Sequence, residues 1–219
     1  MPSGAAMLAA MQLQGLYGLA DPSIRDDLSL PEICLALAKG GARAVQIRWK
    51  DAGSRELLEA VRKSKAALEG TDALLIVNDR PDVAYLGGAD GVHVGDEDLP
   101  VEEVRRLVGE NFLIGATVRD LEGARAAARA GANYVGFGPV FSTTTKVVDV
   151  APQGLDALAA VVKGSPIPVV AIAGIDLETI GQVAAAGAHA AAVGSAALRA
   201  PSIEARAREL VRAFEAGKR

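Results

Sequence analysis

Eight short apolar runs recur along the chain, each of strand length. They are GLYGLA (15–20), AVQIRW (44–49), ALLIVND (73–79), GVHVG (91–95), FLIGATV (112–118), YVGFGPV (134–140), PVVAIAG (168–174) and AAAVGSA (190–196). Between them the apolar positions take helical spacing, over 29–40, 53–69, 100–109, 121–131, 153–163, 176–187 and 201–216. A shorter helical stretch, PDVAYLGGA (81–89), joins the third and fourth runs. Ser54 and Asp120 read as N-caps, and Asp176 stands before LETIGQVAAAGA. GGARAVQI (40–47), AGANYVGF (130–137) and AGAHAAAV (186–193) each pass from a glycine stop into a strand within a few residues.

Strands alternating with helices predict βαβ units and a parallel sheet. Eight of them in about 200 residues fit an α/β chain folded as a single (β/α)8 TIM barrel. The barrel spans 13–219, with 1–12 as a flexible N-terminal extension. The alternative is a doubly wound open sheet, in which the first and last strands do not close. No composition shift marks a second domain. A barrel places its functional residues at the C-terminal ends of the strands.

Composition agrees with that architecture. Half of the residues are hydrophobic, only 4% are aromatic, and 24 are glycine. Buried parallel strands under alanine-rich helices have this profile. The net charge is −4 without a long basic run, which argues against a nucleic-acid surface. No apolar run approaches the roughly 20 residues that span a bilayer. The N-terminal MPSGAAMLAAM lacks the basic segment of a signal peptide. The expectation is a cytoplasmic protein without a membrane or nucleic-acid partner. Cys34 is the only cysteine, which excludes a disulfide within the chain, and it reads as a small packing hydrophobe. The alanine-rich helices admit a homo-oligomer but single out no interface.

The polar residues fall at strand ends. Gln46, Arg48 and Lys50 are spaced by two and share a face of an extended strand, either as an anion-binding face or as a strand end leaving for solvent with its lysine snorkelling. Asp79 and Asp98 follow neighbouring strands, and two such carboxylates suit a hard cation such as Mg2+ that keeps water or phosphate in its other positions. Asp96-Glu97-Asp98 reads equally as the cap of the next helix. His93 reads as an interior residue. After strand six, Thr143, Thr145 and Lys146 offer hydroxyls and an ammonium to phosphate oxygens, or form an ordinary solvated loop. Gly174 and Gly194-Ser195 leave backbone N–H groups open to an anion. Two anion-receptive regions and one cation site on one face predict two phosphorylated groups.

VQIRWK, VNDR, GVHVGDEDLP, IGATV, YVGFGPVFSTTTK, AIAGI and VGSA together resemble the thiamine-phosphate synthase family, in order, from about Leu13 to Phe214. The resemblance implies a (β/α)8 barrel that joins a hydroxymethylpyrimidine pyrophosphate to a thiazole phosphate. Pyrophosphate leaves, thiamine monophosphate forms, and Mg2+ is the cofactor. By resemblance, Gln46, Ile47, Arg48, Trp49, Lys50, Asn78, Thr117 and Lys146 hold the pyrimidine pyrophosphate. Arg48, Lys50 and Lys146 are the catalytic cations. Thr143, Thr144, Thr145, Gly174, Gly194 and Ser195 hold the thiazole phosphate, and Asp79 and Asp98 bind Mg2+.

Three positions depart from the family pattern. Asp96 stands for a usual glutamine, Thr117-Val118-Arg119 for Ser-x-His, and Ala173-Gly174 for a glycine pair. Threonine keeps the hydroxyl of serine, and Gly174 is the position expected to need close backbone approach. The alternatives are a thiazole tautomerase-like paralogue and a non-catalytic barrel that binds thiamine precursors. The intact Q-x-R-x-K, N-D and T-x-T-K runs weigh against the first. The retained Asp79 and Asp98 weigh against the second.

Overall fold

The computed structural model describes residues 12–142 and 151–218. Along the chain come β1 (Gly15–Ala20), α1 (Leu30–Lys39), β2 (Ala44–Ile47), α2 (Ser54–Ala67), β3 (Leu74–Asn78), α3 (Pro81–Gly87), β4 (Gly91–Val94) and α4 (Val101–Val108). Then follow β5 (Leu113–Val118), α5 (Leu121–Ala130), β6 (Tyr134–Phe137), α6 (Gly154–Gly164), β7 (Val169–Ala171), α7 (Ile180–Ala185), β8 (Ala190–Val193), α8 (Ser195–Leu198) and α9 (Ile203–Gly217). The extension predicted over 1–12 lies, except for Gln12, outside the described residues.

The strands close into a barrel in the order β1 to β8. Strand β8 pairs parallel with β1, from Gly15 opposite Ala190 to Gly18 opposite Val193. That pairing excludes the open sheet. Alternation along each strand sorts the side chains onto two faces. Tyr17, Ala44, Ile76, Leu113, Tyr134, Val170 and Ala190 fill the barrel. Their neighbours, such as Leu16, Val45, Ile47, Leu75 and Val77, pack under the helices. The interior mixes two tyrosines with alanines and glycines, so large groups meet small ones. Gly115 shows the fit: a Cβ there would overlap the Tyr134 ring and lie 2.5 Å from His93 Nδ1.

Local signals explain most boundaries. Asp120 caps α5, its Oδ1 accepting the Gly123 N–H at 2.7 Å. Gly41, Gly131 and Gly187 have φ of 99°, 102° and 88°, the left-handed stop that lets the next strand begin. Ser54 is not a cap: Gly53 holds that place, and the Ser54 hydroxyl instead accepts from Arg80 Nη2 at 3.1 Å. Asp176 holds a turn before α7 by accepting the Glu178 and Thr179 N–H groups at 3.0 Å, and Thr179 takes the cap position. Several apolar runs outlast their strands. Strand β2 stops at Ile47, β6 at Phe137 before a cis Gly138–Pro139 peptide, and β8 at Val193, where Gly194 opens α8. Cys34 is fully buried in the core, and burial pushes its thiol up to about 12. Among the described residues no helix is long and apolar enough to cross a membrane.

Candidate active site

The inward positions at the C-terminal strand ends open into a cavity of about 170 Å3. Gln46 from β2, Asn78 from β3, His93 from β4 and Thr117 from β5 line it. Five polar or charged residues are buried among those described, and Asp21, Gln46 and His93 of these line the cavity. Burying such groups is costly unless they are hydrogen-bonded, so their partners matter.

Arg48 extends from the end of β2, and its Nη1 lies 2.6 Å from Asp21 Oδ2. Asp21 follows β1 and is 3% exposed; Ser23 also donates to it, from N–H at 3.0 Å and from Oγ at 2.6 Å. The buried carboxylate thereby holds the guanidinium at the cavity wall. Lys50 Nζ lies 3.4 Å from Asp79 Oδ2. Asp79 has φ of 62°, and its N–H donates to the His93 carbonyl at 2.8 Å. This left-handed turn, which aspartate tolerates better than most residues, redirects the chain as β3 ends.

Asp79 and Asp98 meet. Burial raises the Asp79 carboxyl above the usual carboxylate range, and the adjacent Asp98 raises it further, while Lys50 opposes both. Asp98 Oδ2 accepts the Gly95 N–H at 2.7 Å. It closes its own loop rather than capping α4, whose cap position is Pro100. Two convergent carboxylates that repel each other are a donor set suited to a hard divalent cation. No group of three His, Cys, Asp or Glu side chains gathers for a metal among the described residues. A Mg2+ here would complete its shell with water and phosphate oxygens.

Below the mouth, a hydrogen-bonded chain crosses the barrel. Gln46 Nε2 donates to Tyr17 Oη at 2.9 Å, and Tyr17 Oη lies 2.9 Å from Tyr134 Oη. His93 Nδ1 lies 3.3 Å from Tyr134 Oη, and its Nε2 lies 3.0 Å from Thr117 Oγ1. Two of the family departures also meet: Arg119 Nη2 lies 3.2 Å from Asp96 Oδ2, while its Nη1 donates to the Gly138 carbonyl at 2.6 Å.

A second recess of about 520 Å3 adjoins the first and shares Gly194 with it. Gly174, Ser195, Arg199 and Arg206 line it. Gly174 has φ of 69°, and a Cβ there would strike the Ser142 carbonyl and lie 2.7 Å from Phe141 Cβ. The close approach expected at Gly174 is real, but it is to the protein's own backbone after β6. Ala173 beside it has φ of 71°.

The structure brings Gln46, Arg48, Asn78 and Thr117 to one cavity, Lys50 and Asp98 to Asp79, and Gly174, Gly194 and Ser195 to the adjoining recess. Ile47 is packed in the helix-facing core and Trp49 against it, and neither lines the cavity. Thr143, Thr144, Thr145 and Lys146 lie outside the described residues. Sequence reasoning missed Asp21, Tyr17 and Tyr134. Asp21 was visible as the charge ending the first apolar run. The two tyrosines were not, because an interior aromatic looks the same as any core residue.

The sequence model of the family described as thiamine monophosphate synthase matches residues 16–197. The thiamine-phosphate synthase of Myxococcus xanthus is 53% identical over 205 residues, covering 94% of each chain. That of Anaeromyxobacter dehalogenans is 49% identical and covers 100% of this chain and 97% of its own. The thiamine phosphate pyrophosphorylase of Pyrococcus furiosus superposes with a TM-score of 0.87 at 35% identity, covering 96% of this chain and 99% of that one. With the barrel and the strand-end residues in place, these likenesses assign the chain to the thiamine monophosphate synthase family.

Proposed function

We propose that this chain condenses 4-amino-2-methyl-5-hydroxymethylpyrimidine pyrophosphate with 4-methyl-5-(2-phosphoethyl)thiazole, giving thiamine monophosphate and pyrophosphate, with Mg2+ as its cofactor. The observation that carries the reading is the carboxylate pair Asp79 and Asp98, with Lys50 on Asp79 and Asp79 next in the chain to Asn78, which lines the cavity with Arg48. One anion site flanked by two cations and a divalent-metal donor set is what a leaving pyrophosphate requires.

Arg48, oriented by Asp21, and Lys50 hold the pyrophosphate and stabilise the charge that builds on it as the bond to the pyrimidine's exocyclic carbon breaks. Lys146 joins them by resemblance. Thr117 donates its hydroxyl to the same anion, and Gln46 and Asn78 hold the pyrimidine ring. Asp79 and Asp98 would hold Mg2+, which would supply positive charge to the leaving pyrophosphate. The recess at Gly174, Gly194 and Ser195 takes the thiazole phosphate, which brings the thiazole nitrogen to the carbon losing pyrophosphate. No side chain is needed as nucleophile or base. Catalysis is positioning and electrostatics.

The experiment is to incubate the protein with both substrates and Mg2+ and to read thiamine monophosphate after oxidation to thiochrome. Product is expected. Arg48→Ala should lower kcat by about 10²–10³-fold, the loss typical of one charge-stabilising donor. No product from folded protein would refute the reading.

A further inference from the structure

The middle of the hydrogen-bonded chain in the barrel has no part in the reaction as described above, yet the barrel is built around it. It runs Gln46–Tyr17–Tyr134–His93–Thr117, with successive distances of 2.9, 2.9, 3.3 and 3.0 Å. The three middle groups are at most 8% exposed, and all five side chains line the cavity, the middle ones at its floor. Gly115 and Gly136 make room for it, since a Cβ at Gly136 would lie 2.9 Å from His93 Cε1 and one at Gly115 would overlap Tyr134.

Each middle group has one proton to give along this chain and one lone pair to receive with. A phenol donates once here, and a neutral imidazole donates from one nitrogen and accepts at the other. When every middle group spends its one proton along the chain, fixing one end fixes every link. With the Gln46 amide nitrogen on Tyr17, Tyr17 accepts and donates to Tyr134. Tyr134 then donates to His93 Nδ1, and His93 donates from Nε2 to Thr117. Thr117 keeps its hydroxyl proton for the cavity, and Gln46 turns its carbonyl oxygen to the cavity. Reversing the chain exchanges both ends: Gln46 would present its NH2 group, and Thr117 would present only lone pairs. Burial holds both phenols protonated, which preserves the alternation.

We propose that these five side chains are one positioning device that couples anion binding at Thr117 to amine recognition at Gln46. A pyrophosphate oxygen beside Thr117 accepts the hydroxyl proton and excludes the reversed state. The same state makes Gln46 an acceptor, matched to an exocyclic amino group on the pyrimidine and mismatched to a ring carbonyl there. In this device Tyr17, Tyr134 and His93 act through the two ends. The inference rests on the reading of Gln46 and Thr117 as contacts of the pyrimidine pyrophosphate.

The tautomer of His93 is the direct readout. Long-range 15N–1H NMR of histidine-labelled protein, with Mg2+ and inorganic pyrophosphate, reports which nitrogen holds the proton. The chain has two histidines, so His189→Gln assigns the signals. The proton is expected on Nε2, and a proton on Nδ1 overturns the proposal. Tyr134→Phe provides the kinetic arm. KM for the pyrimidine pyrophosphate should rise about 10-fold, the scale of a buried group left unpaired, with KM for the thiazole phosphate unchanged. Preference for the amino over the oxo pyrimidine should fall with it. If Tyr134→Phe matches wild type while Gln46→Ala raises KM, the coupling is wrong and the contact reading survives. If Gln46→Ala also leaves KM unchanged, the contact reading fails and takes the coupling with it. Should Tyr134→Phe not fold, the NMR measurement on the unaltered protein decides alone.

Discussion

Asp79 carries two conflicting demands. Its carboxyl is half-buried against Asp98, and burial and that neighbouring carboxylate raise its affinity for a proton, whereas a cation there would need it ionised. The folded chain therefore holds that proton to a higher pH than the unfolded chain does. Without metal, stability should rise as pH falls through the raised Asp79 value, and the gain should end below the ordinary carboxylate range. Mg2+ binding at the proposed Asp79–Asp98 site would need the carboxylate ionised, so metal affinity and activity should fall over the same window. Denaturation midpoints without metal, and kcat/KM at subsaturating Mg2+, measured against pH, check the two signs. Asp79→Asn should remove this titration and cost more activity than the roughly 10–100-fold lost when a residue merely supporting a metal ligand is changed. Ala173 bears a different strain. Its φ of 71° costs a non-glycine residue about 1–2 kcal/mol, whereas glycine there adds back about 0.4–1 kcal/mol through unfolded-chain entropy. Ala173→Gly should thus stabilise by up to about 1.6 kcal/mol in urea denaturation, and a destabilised variant would refute the account.

At the scale of elements, the loops after β4, β5 and β6 are tied through Arg119. It bridges Asp96 after β4 and the Gly138 carbonyl after β6, at 3.2 and 2.6 Å. Taken separately, Asp96 and Arg119 look like two liabilities beside an anion site. In the fold each answers the other's charge. Their side chains are 52% and 29% exposed, so the pair is worth only about 0.2–1 kcal/mol. Arg119→His should leave Asp96 unneutralised next to Asp98 and lower kcat/KM. Adding Asp96→Gln should recover about two- to five-fold of that loss, the span of such a coupling energy. A double-mutant cycle in kcat/KM checks this, and additivity would show that the pair is incidental.

For the whole molecule, ligand binding should register as stability, because the site draws on strand ends around the barrel. Pyrophosphate with Mg2+ at 100 times its Kd contributes about 2.7 kcal/mol. At roughly 2–4 °C per kcal/mol for a domain of this size, Tm should rise by about 5–10 °C. Calorimetry checks this, and Asp79→Asn should abolish the increment that Mg2+ adds. The barrel itself was legible in the sequence because closure needs only repetition: eight apolar runs, helical stretches between them, and glycine stops such as Gly131. Arg48, Asp79 and Asp98 were legible because charge at the end of an apolar run is rarely wasted on a core. Boundaries such as Ile47, Phe137 and Val193 were less so, since apolar residues continue past the last ladder bond. The pairings were decided by the closed barrel alone. Asp21 on Arg48, Asp96 on Arg119, and Tyr17 on Tyr134 are separated by 27, 23 and 117 positions along the chain. Sequence determines which side chains point inward, because alternation is local. Which inward groups touch depends on strand register and closure, and those exist only when all eight strands are in place.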